Sequence, residues 1–415
     1  NTKMFCRCGV VDTEEPNISL CPTCLGLPGA LPVPNKKAIQ YITLLALSTG
    51  CEITTKGMFH RKNYFYPDLP KNYQISQFDL PVGLNGQLEI VIDETTDFVQ
   101  IERVHMEEDT GKSTHSGSGR IESATSTALD FNRSGVPLVE IVTKPVITSS
   151  KQAVAYIEEL RQLAIDLNIS EGRLEKGNLR FDANISVAPK DSSELGTKVE
   201  IKNMNSLRSL ERAIDYEIQR QTKAVHDGVD IIQETRHWDE NKEVTSTMRS
   251  KEGSADYRYF SDPDLPNMYL SEDFIDQVKS SMPQLPNEQR EELINTGLNL
   301  KQANILSKSD EWIKNLYFKV HQQTKDSEGS YNWITGELQG QMRKVNIERL
   351  PEWFSHDYLS EIIELIKKSK ISFTSAKIIL SQLLEKDSTP NKIAEQKNLF
   401  QENDTEKISE MITQI

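Results

Sequence analysis

The sequence predicts an α+β fold in which a largely antiparallel sheet is followed by an all-α region. Three observations support this prediction. Residues 181–187 and residues 198–202 each alternate apolar and polar side chains, which is the period of a half-buried strand. Composition then changes near residue 270, after which the pattern is mostly helical, with few glycines and many lysines and glutamates.

Two helices are predicted within the sheet region. Ser149 or Ser150 can cap the first, and Asn205 or Ser206 can cap the second, which we expect to end near Gly228. Their apolar stripes comprise Val154, Ile157, Leu160, Ala164 and Leu167 in the first helix, and Leu207, Leu210, Ile214 and Ile218 in the second.

The prolines from Pro263 to Pro286 indicate a linker, and a polar segment at 386–406 separates short helices near the end. We therefore expect three domains. Residues 1–270 form the sheet domain, residues 271–370 form a helical domain, and residues 371–415 begin a partial helical tail.

Composition excludes several classes of protein. The formal net charge of −14, from 48 basic and 62 acidic residues, excludes a uniformly basic nucleic-acid binder but not a local basic patch. No run reaches the roughly 18 apolar residues of a membrane helix. Five cysteines are too few for a disulfide scaffold, and no signal peptide is visible, so a cytoplasmic protein is expected.

Four of the cysteines form two close pairs, Cys6 with Cys8 and Cys21 with Cys24. Each pair can place two sulfurs on one ion, so the spacing predicts a zinc site. Because four sulfurs leave no open coordination position, this zinc should be structural. The alternatives are two unrelated buried pairs or a redox Cys-x-x-Cys site, and Cys51 is expected in the core.

The segment from His105 to His115 is dense in ionisable groups and contains Gly-Lys-Ser-Thr. A phosphate-binding P-loop would need glycine at position 106, which is Met106, so that interpretation fails. Glu107, Glu108 and Asp109 are hard oxygen ligands that suit magnesium shared with substrate phosphates. The alternative is a solvated acidic turn.

Glu140 lies within the apolar run 137–142, where a buried carboxylate would need a cation. Magnesium is one candidate and an ion pair with Arg133 is the other.

Two predicted strands each carry one polar face. Those faces comprise Arg180, Asp182 and Asn184 on one strand, and Lys198, Glu200 and Lys202 on the other. Together with the acidic residues above, they suggest a cleft in which carboxylates hold a metal and cations hold nucleotide phosphates. Either strand alone is equally well explained by a half-solvated antiparallel sheet.

Aromatic and basic residues cluster in residues 60–67, 71–77 and 256–260. Planar rings beside arginine and lysine can hold unstacked bases or the end of a tRNA. A hydrogen-bonded core around the tyrosines explains them equally well.

Several of these motifs resemble those of a known family. They are Arg61-Lys-Asn-Tyr-Phe-Tyr-Pro-Asp68, Tyr73-Gln-Ile-Ser-Gln-Phe-Asp79, His105-Met-Glu-Glu-Asp109 with Gly111-Lys-Ser-Thr-His115, Leu179-Arg-Phe-Asp-Ala-Asn-Ile-Ser186, Lys202-Asn203 and Asp256-Tyr-Arg-Tyr-Phe260. The sequence is similar to the B subunits of aspartyl/glutamyl-tRNA amidotransferases. The resemblance implies a cradle-like domain carrying a kinase-like site, followed by the helical domain and a tail that touches tRNA.

The resemblance also implies a function. Such a ligase uses ATP and magnesium to phosphorylate the side-chain carboxylate of Glu-tRNA(Gln) or Asp-tRNA(Asn), and ammonia then displaces the phosphate. An amidase, the A component of the complex, supplies the ammonia, and a small C component completes the heterotrimer. A non-catalytic, zinc-containing RNA-binding adaptor is the alternative, and it would have no need of Glu140 in an apolar strand.

By the same resemblance, Glu108 and Glu140 are magnesium ligands, with Glu107 beside them. The catalytic residues are expected to be Glu108, Glu140, Asp182, Glu200 and Lys202. Nucleotide-binding residues are expected to be Glu107, Lys112, Ser113, Arg180, Asn184 and Lys198. The family also has a Gly-Leu-Glu-x-His-x-x-Leu segment ahead of the residues seen here, whose Glu and His are expected at the metal site.

Overall fold

A computed structural model describes residues 1–116, 125–248 and 257–401, except for the side chain of His115. The chain divides into two compact units. The first comprises Asn1–Ile92 and Thr96–Leu285, and the second comprises Asp93–Thr95 with the residues from Pro286 onward. Asp256 of the last motif and residues 402–415 of the expected tail lie outside the described residues.

A seven-stranded antiparallel sheet forms the centre of the first unit. Its strands are β1 (Glu52–Ile53), β3 (His60–Asn63), β4 (Tyr73–Ser76), β5 (Gly83–Ile92), β6 (Thr95–Glu108), β9 (Pro137–Thr143) and β14 (Phe260–Ser261). Their order is β1-β5-β6-β4-β3-β14, and β9 also pairs with β6. Two small ribbons accompany the sheet, β2 (Lys56–Gly57) with β15 (Met268–Tyr269) and β7 (Lys112–Ser116) with β8 (Ser126–Asp130).

Helices α1 (Lys36–Ser48) and α2 (Ser150–Asp166) pack against this sheet through β5. Their buried side chains, among them Leu45 and Leu163, share one apolar core with Ile90 and Val104 of the strands. Burial of this continuous apolar surface is the main term that holds the sheet and helices together.

A second sheet lies in the same unit, in the order β10 (Ala183–Ile185), β11 (Val199–Lys202), β12 (Thr235–Asp239) and β13 (Val244–Thr247). The β11–β12 pair is parallel and the other two pairs are antiparallel. Helix α3 (Leu207–His226) packs on it, with Leu210 and Ala213 against Ile201 and Trp238. The polar face of β11 is therefore the face turned away from the helix.

The second unit is helical. Its elements are α5 (Pro286–Asn295), α6 (Leu300–Ser307), α7 (Glu311–Thr324), α8 (Ser327–Tyr331), a π-helical segment (Asn332–Leu338), α9 (Gln339–Lys344), α10 (His356–Lys367), α11 (Phe373–Glu385) and α12 (Pro390–Gln396). One core, which includes Tyr317, Trp333, Leu359 and Leu380, runs through these helices. None of the helices in the described residues is both long and apolar enough to span a lipid bilayer.

The α+β prediction and the two early helices are confirmed. Ser149 and Ser206 cap α2 and α3, each by accepting a hydrogen bond from a backbone N–H of the first turn. The strand predicted at 181–187 is shorter than expected, because only Ala183–Ile185 pairs with β11. Helix α4 (Glu272–Ser280) buries Val278 in the core of the first unit, so that unit extends beyond the expected boundary at residue 270.

Candidate functional site

The four clustered cysteines converge on one point. Their sulfurs all lie within 4.8 Å of one another. A zinc ion with sulfur ligands at about 2.3 Å needs sulfurs about 3.8 Å apart, so the cluster fits a tetrahedral zinc. The hydrogen bond between Cys6 and Cys24 lowers the pKa of the Cys24 thiol and raises that of Cys6. Cys51 is buried in the core, as expected.

A second cluster of possible ligands lies where β6 and β9 pair. His105 is directly opposite Glu140 in this antiparallel register, and Glu107 is two residues further along β6. Side chains at these three positions share one face of the sheet because successive residues alternate. One ligand atom from each lies within 4.8 Å of the others. We call His105, Glu107 and Glu140 the acid centre.

Glu107 is held firmly in the acid centre. Its carboxylate accepts hydrogen bonds from Ser76 Oγ at 2.8 Å and from Gln74 Nε2 at 3.1 Å. His105 Nε2 and Lys62 Nζ each lie 3.6 Å from Glu107 Oε1. Burial alone would raise the pKa of Glu107, but the hydrogen bond with His105 and the charge of Lys62 outweigh it and lower that pKa.

The acid centre can hold a divalent cation. Glu107 is buried, whereas 45% of the Glu140 side chain is exposed to solvent. Two carboxylates of this kind, with water filling the other positions, suit magnesium. The Nδ1 atom of His105 is buried and has no hydrogen-bond partner among the described residues. Lys62 supplies a cation beside the carboxylates, as a phosphate site would require.

A separate polar group lies on the second sheet. Lys202 Nζ bridges Asp182 Oδ2 at 2.6 Å and Glu200 Oε1 at 3.1 Å. Thr235 Oγ1 donates to the other oxygen of Glu200 at 2.8 Å. Burial would lower the pKa of Lys202, but the hydrogen bond with Asp182 and the charge of Glu200 outweigh it and raise that pKa.

The sequence matches two known protein domains. The domain described as "GatB/GatE catalytic domain" matches residues 1–276, and the "GatB domain" matches residues 315–415. A protein of Crocosphaera subtropica, named as the B subunit of aspartyl/glutamyl-tRNA(Asn/Gln) amidotransferase, is 44% identical over 99% of this chain and 84% of its own length. The chain belongs to this amidotransferase B-subunit family.

Further relatives carry the same name. That of Carboxydothermus hydrogenoformans is 40% identical over 100% of this chain and 86% of its own length, and that of Persephonella marina has the same values. The resemblance inferred from the motifs is therefore confirmed over both the sheet region and the helical region.

The structure separates two residues that were expected to share the metal. Glu108 lies on the opposite face of β6 from Glu107 and Glu140 because adjacent residues of a strand alternate. Its Oε1 accepts hydrogen bonds from Lys71 Nζ and, at 2.9 Å, from the backbone N–H of Ile75. Glu108 also lines a cavity of about 200 Å³ that Cys6 and Cys24 line too. The acid centre thus contains Glu107 and not Glu108.

The expected burial of Glu140 is wrong. All seven residues of β9 are only partly buried, because the described residues give this strand one partner, β6. Among the described residues, the structure gives no ion pair between Glu140 and Arg133, and Arg133 Nε instead lies 3.4 Å from Asp109 Oδ2. Within the described ranges, the ring of His105 lies beside Glu140, with Nε2 3.8 Å from Glu140 Oε2.

The remaining expected residues are scattered. Arg180 Nη2 donates to Asp109 Oδ2 at 2.8 Å, and Asp109 directly follows the end of β6. Lys112 and Ser113 lie on the separate β7–β8 ribbon, where Lys112 is opposite Asp130 in the strand register. Asn184 and Lys198 are exposed, on β10 and just before β11. In the described part of the chain, the structure gives none of Lys112, Ser113, Asn184 or Lys198 a contact with the acid centre.

Sequence reasoning missed the roles of His105, Lys62 and Ser76. A signal for the first was present, because alternation along β6 places His105 and Glu107 on one face. Lys62 and Ser76 come from β3 and β4, and only the pairing of these strands brings them to Glu107.

Proposed function

We propose that this chain activates and amidates the side-chain carboxylate of glutamate on tRNA(Gln) or of aspartate on tRNA(Asn), with ATP as phosphoryl donor. The observation that carries the proposal is the acid centre with Lys62 beside it, in a chain of the amidotransferase B-subunit family. We take the first unit to be the cradle that presents this kinase-like site.

Two transfers make up the reaction. A carboxylate oxygen of the aminoacyl group attacks the γ-phosphorus of ATP, the bond to the β-phosphate oxygen breaks, and ADP leaves. Ammonia then attacks the acyl carbon, phosphate leaves, and a proton is lost to give the amide. Both steps build negative charge on phosphate oxygens, which cations near the acid centre stabilise.

Each residue of the acid centre has a proposed task. Glu107, Glu140 and His105 would hold a divalent cation, with magnesium the expected ion. That ion, when bound, neutralises phosphate charge. Lys62, 3.6 Å from Glu107, would contact a phosphate oxygen as a point charge. Ser76 and Gln74 fix the Glu107 carboxylate through hydrogen bonds. We further propose that Lys202, held between Asp182 and Glu200 on the second sheet, binds a phosphate oxygen as Lys62 does.

The cysteine cluster would hold a structural zinc ion, since four sulfurs complete its coordination. The partner that follows from the reaction is an amidase that releases ammonia from glutamine. From membership of the B-subunit family we also propose a small third protein, and the three would form a cytoplasmic heterotrimer.

The decisive experiment reconstitutes the chain with its amidase and small partner proteins, and measures ADP release with and without glutamyl-tRNA(Gln). Turnover that needs the misacylated tRNA and magnesium, with glutaminyl-tRNA as product, supports the proposal. Binding of tRNA without ADP release under the same conditions would support the adaptor instead.

A further inference from the structure

A row of aromatic rings leads away from the acid centre. Lys62 Nζ, 3.6 Å from Glu107, lies 5.1 Å from the centroid of the Tyr257 ring. The Tyr257 ring is 6.0 Å from the Tyr259 ring, edge to face. Tyr259 in turn stacks on Phe78 at 4.3 Å, with the ring planes only 10° apart. We call Tyr257, Tyr259 and Phe78 the aromatic row.

Phe78, at the end of this row, is fixed in place and yet open. One face of its ring is covered by Tyr259, and the buried His60 ring packs against it at 6.3 Å with an interplanar angle of 79°. Nevertheless, 54% of Phe78 is exposed. Tyr259 covers one face of the Phe78 ring. Among the described residues, the exposed surface of Phe78 therefore lies largely on the opposite face and the free edge of the ring.

We propose that the open face of Phe78 is a stacking platform for the adenine ring of a substrate, an inference that rests on the proposed function. Both substrates carry adenine, one in ATP and the other in the 3′-terminal adenosine whose ester bears the amino acid. A flat, solvent-open ring at the end of a row that begins at Lys62 suits a nucleotide, with the base on the ring and the charged group towards the cation.

The chemistry of the row favours a base over an apolar protein segment. Its rings lie beside charged groups, with Lys62 over Tyr257 and with Asp79 Oδ2 3.5 Å from His60 Nε2. A base can stack on Phe78 while its edge atoms stay hydrated, whereas an apolar segment would have to desolvate these charges.

The test replaces Phe78 in the full-length chain within the assembled complex. Phe78→Ala removes the platform, and Phe78→Trp keeps a flat ring. Phe98→Ala is the matched control, because Phe98 is 48% exposed and lies near the other end of β6. For each variant, kcat and KM are measured against ATP at saturating glutamyl-tRNA(Gln), and against the tRNA at saturating ATP.

We expect Phe78→Ala to raise one KM about tenfold, with kcat nearly unchanged, because stacking binds the base before and during reaction alike. A rise for ATP identifies its adenine as the occupant, and a rise for the tRNA identifies the terminal adenosine. Phe78→Trp should restore the parental value, and Phe98→Ala should leave both constants unchanged.

The platform is rejected if Phe78→Ala leaves both KM values at the parental level. It is also rejected if Phe78→Trp is as impaired as Phe78→Ala, or if Phe98→Ala has the same effect. Failure of the proposed function looks different, since the parental complex itself would then show no tRNA-dependent ADP release. If the parental complex shows no such release, the proposal of an adenine platform is rejected together with the proposed function.

Discussion

The two candidate metal sites are built in opposite ways. The cysteine cluster takes its four sulfurs from residues 6–24, a single short stretch of chain. The acid centre and its supports come from four strands, with Lys62 on β3, Ser76 on β4, Glu107 on β6 and Glu140 on β9. The first site therefore depends on local loop geometry and the second on the register of the main sheet.

This difference has a physical consequence at the end of β6. A register slip of one residue would exchange Glu107 for Glu108 on the face of the acid centre. The pairs Ser76 with Glu107 and His105 with Glu140 hold that register. The cysteine cluster does not depend on the register of the main sheet. The cluster and the acid centre should therefore respond differently to substitution.

The largest effect is expected for Glu107→Gln. The amide preserves the shape of the side chain but removes the charge that binds a cation and faces Lys62. We expect tRNA-dependent ADP release to fall about 100-fold or more, as for loss of a group that stabilises transition-state charge. Glu102→Gln is the matched control, because Glu102 is half exposed on the same strand. Equal activity of Glu107→Gln and the control would remove Glu107 from the site.

The next effect tests the sulfur site. Cys24→Ser should reduce bound zinc from one ion per chain to near zero and lower the free energy of unfolding, because zinc binding to such sites is coupled to folding. Metal analysis and urea denaturation measure these quantities. Activity per folded molecule should be largely kept. Cys51→Ser, at a buried cysteine outside the cluster, should retain zinc. Zinc retained in Cys24→Ser would contradict the four-sulfur site.

The two sites also differ in how far the sequence alone predicts them. Spacing suffices for Cys6, Cys8, Cys21 and Cys24, because a short loop has few ways to separate them. Alternation along β6 could have paired His105 with Glu107, but it cannot say which strands lie beside them. Lys62 and Ser76 are 45 and 31 residues away from Glu107 along the chain, and only strand pairing relates them (107 − 62 and 107 − 76).

The same limit explains the error at Glu140. An apolar run predicts a strand but not how many neighbours cover it, and β9 is half-buried along its whole length. The α+β class and helices α2 and α3 were predictable because caps and apolar stripes are local.

Glu140→Gln tests the role of this half-exposed carboxylate, and we expect a moderate loss of ADP release. Because 45% of the side chain is exposed, neutralising it should cost little stability. We expect about a tenfold loss of ADP release, partly recovered at higher magnesium concentration, since one of the proposed carboxylate ligands is weakened. Glutamine hydrolysis by the partner amidase should continue. A large fall in melting temperature with normal turnover would reject the metal role.

A smaller effect is expected on the second sheet. Lys202→Ala and Asp182→Ala should each lower transamidation several-fold while the fold stays intact. Lys202 lies on the polar face of β11 and Asp182 just before β10, so neither side chain adds much to the core. Lys56→Ala, at an exposed lysine of the β2–β15 ribbon, serves as the control. Parental rates in either variant would exclude that residue from the site.

The smallest effect is a pH dependence that separates the buried carboxylate of the acid centre from an exposed one. The pKa of Glu107 is lowered on folding, so its charge contributes stability above its ordinary pKa of 4.5, and that contribution is lost as the pH falls through the folded-state value. The difference in unfolding free energy between the parental chain and Glu107→Gln should be smaller at pH 4 than at pH 5.5. Urea denaturation at each pH measures it, with Glu102→Gln measured alongside as a half-exposed carboxylate of the same strand. A difference that instead grows below pH 5 would mean that burial outweighs His105 and Lys62 at this carboxylate.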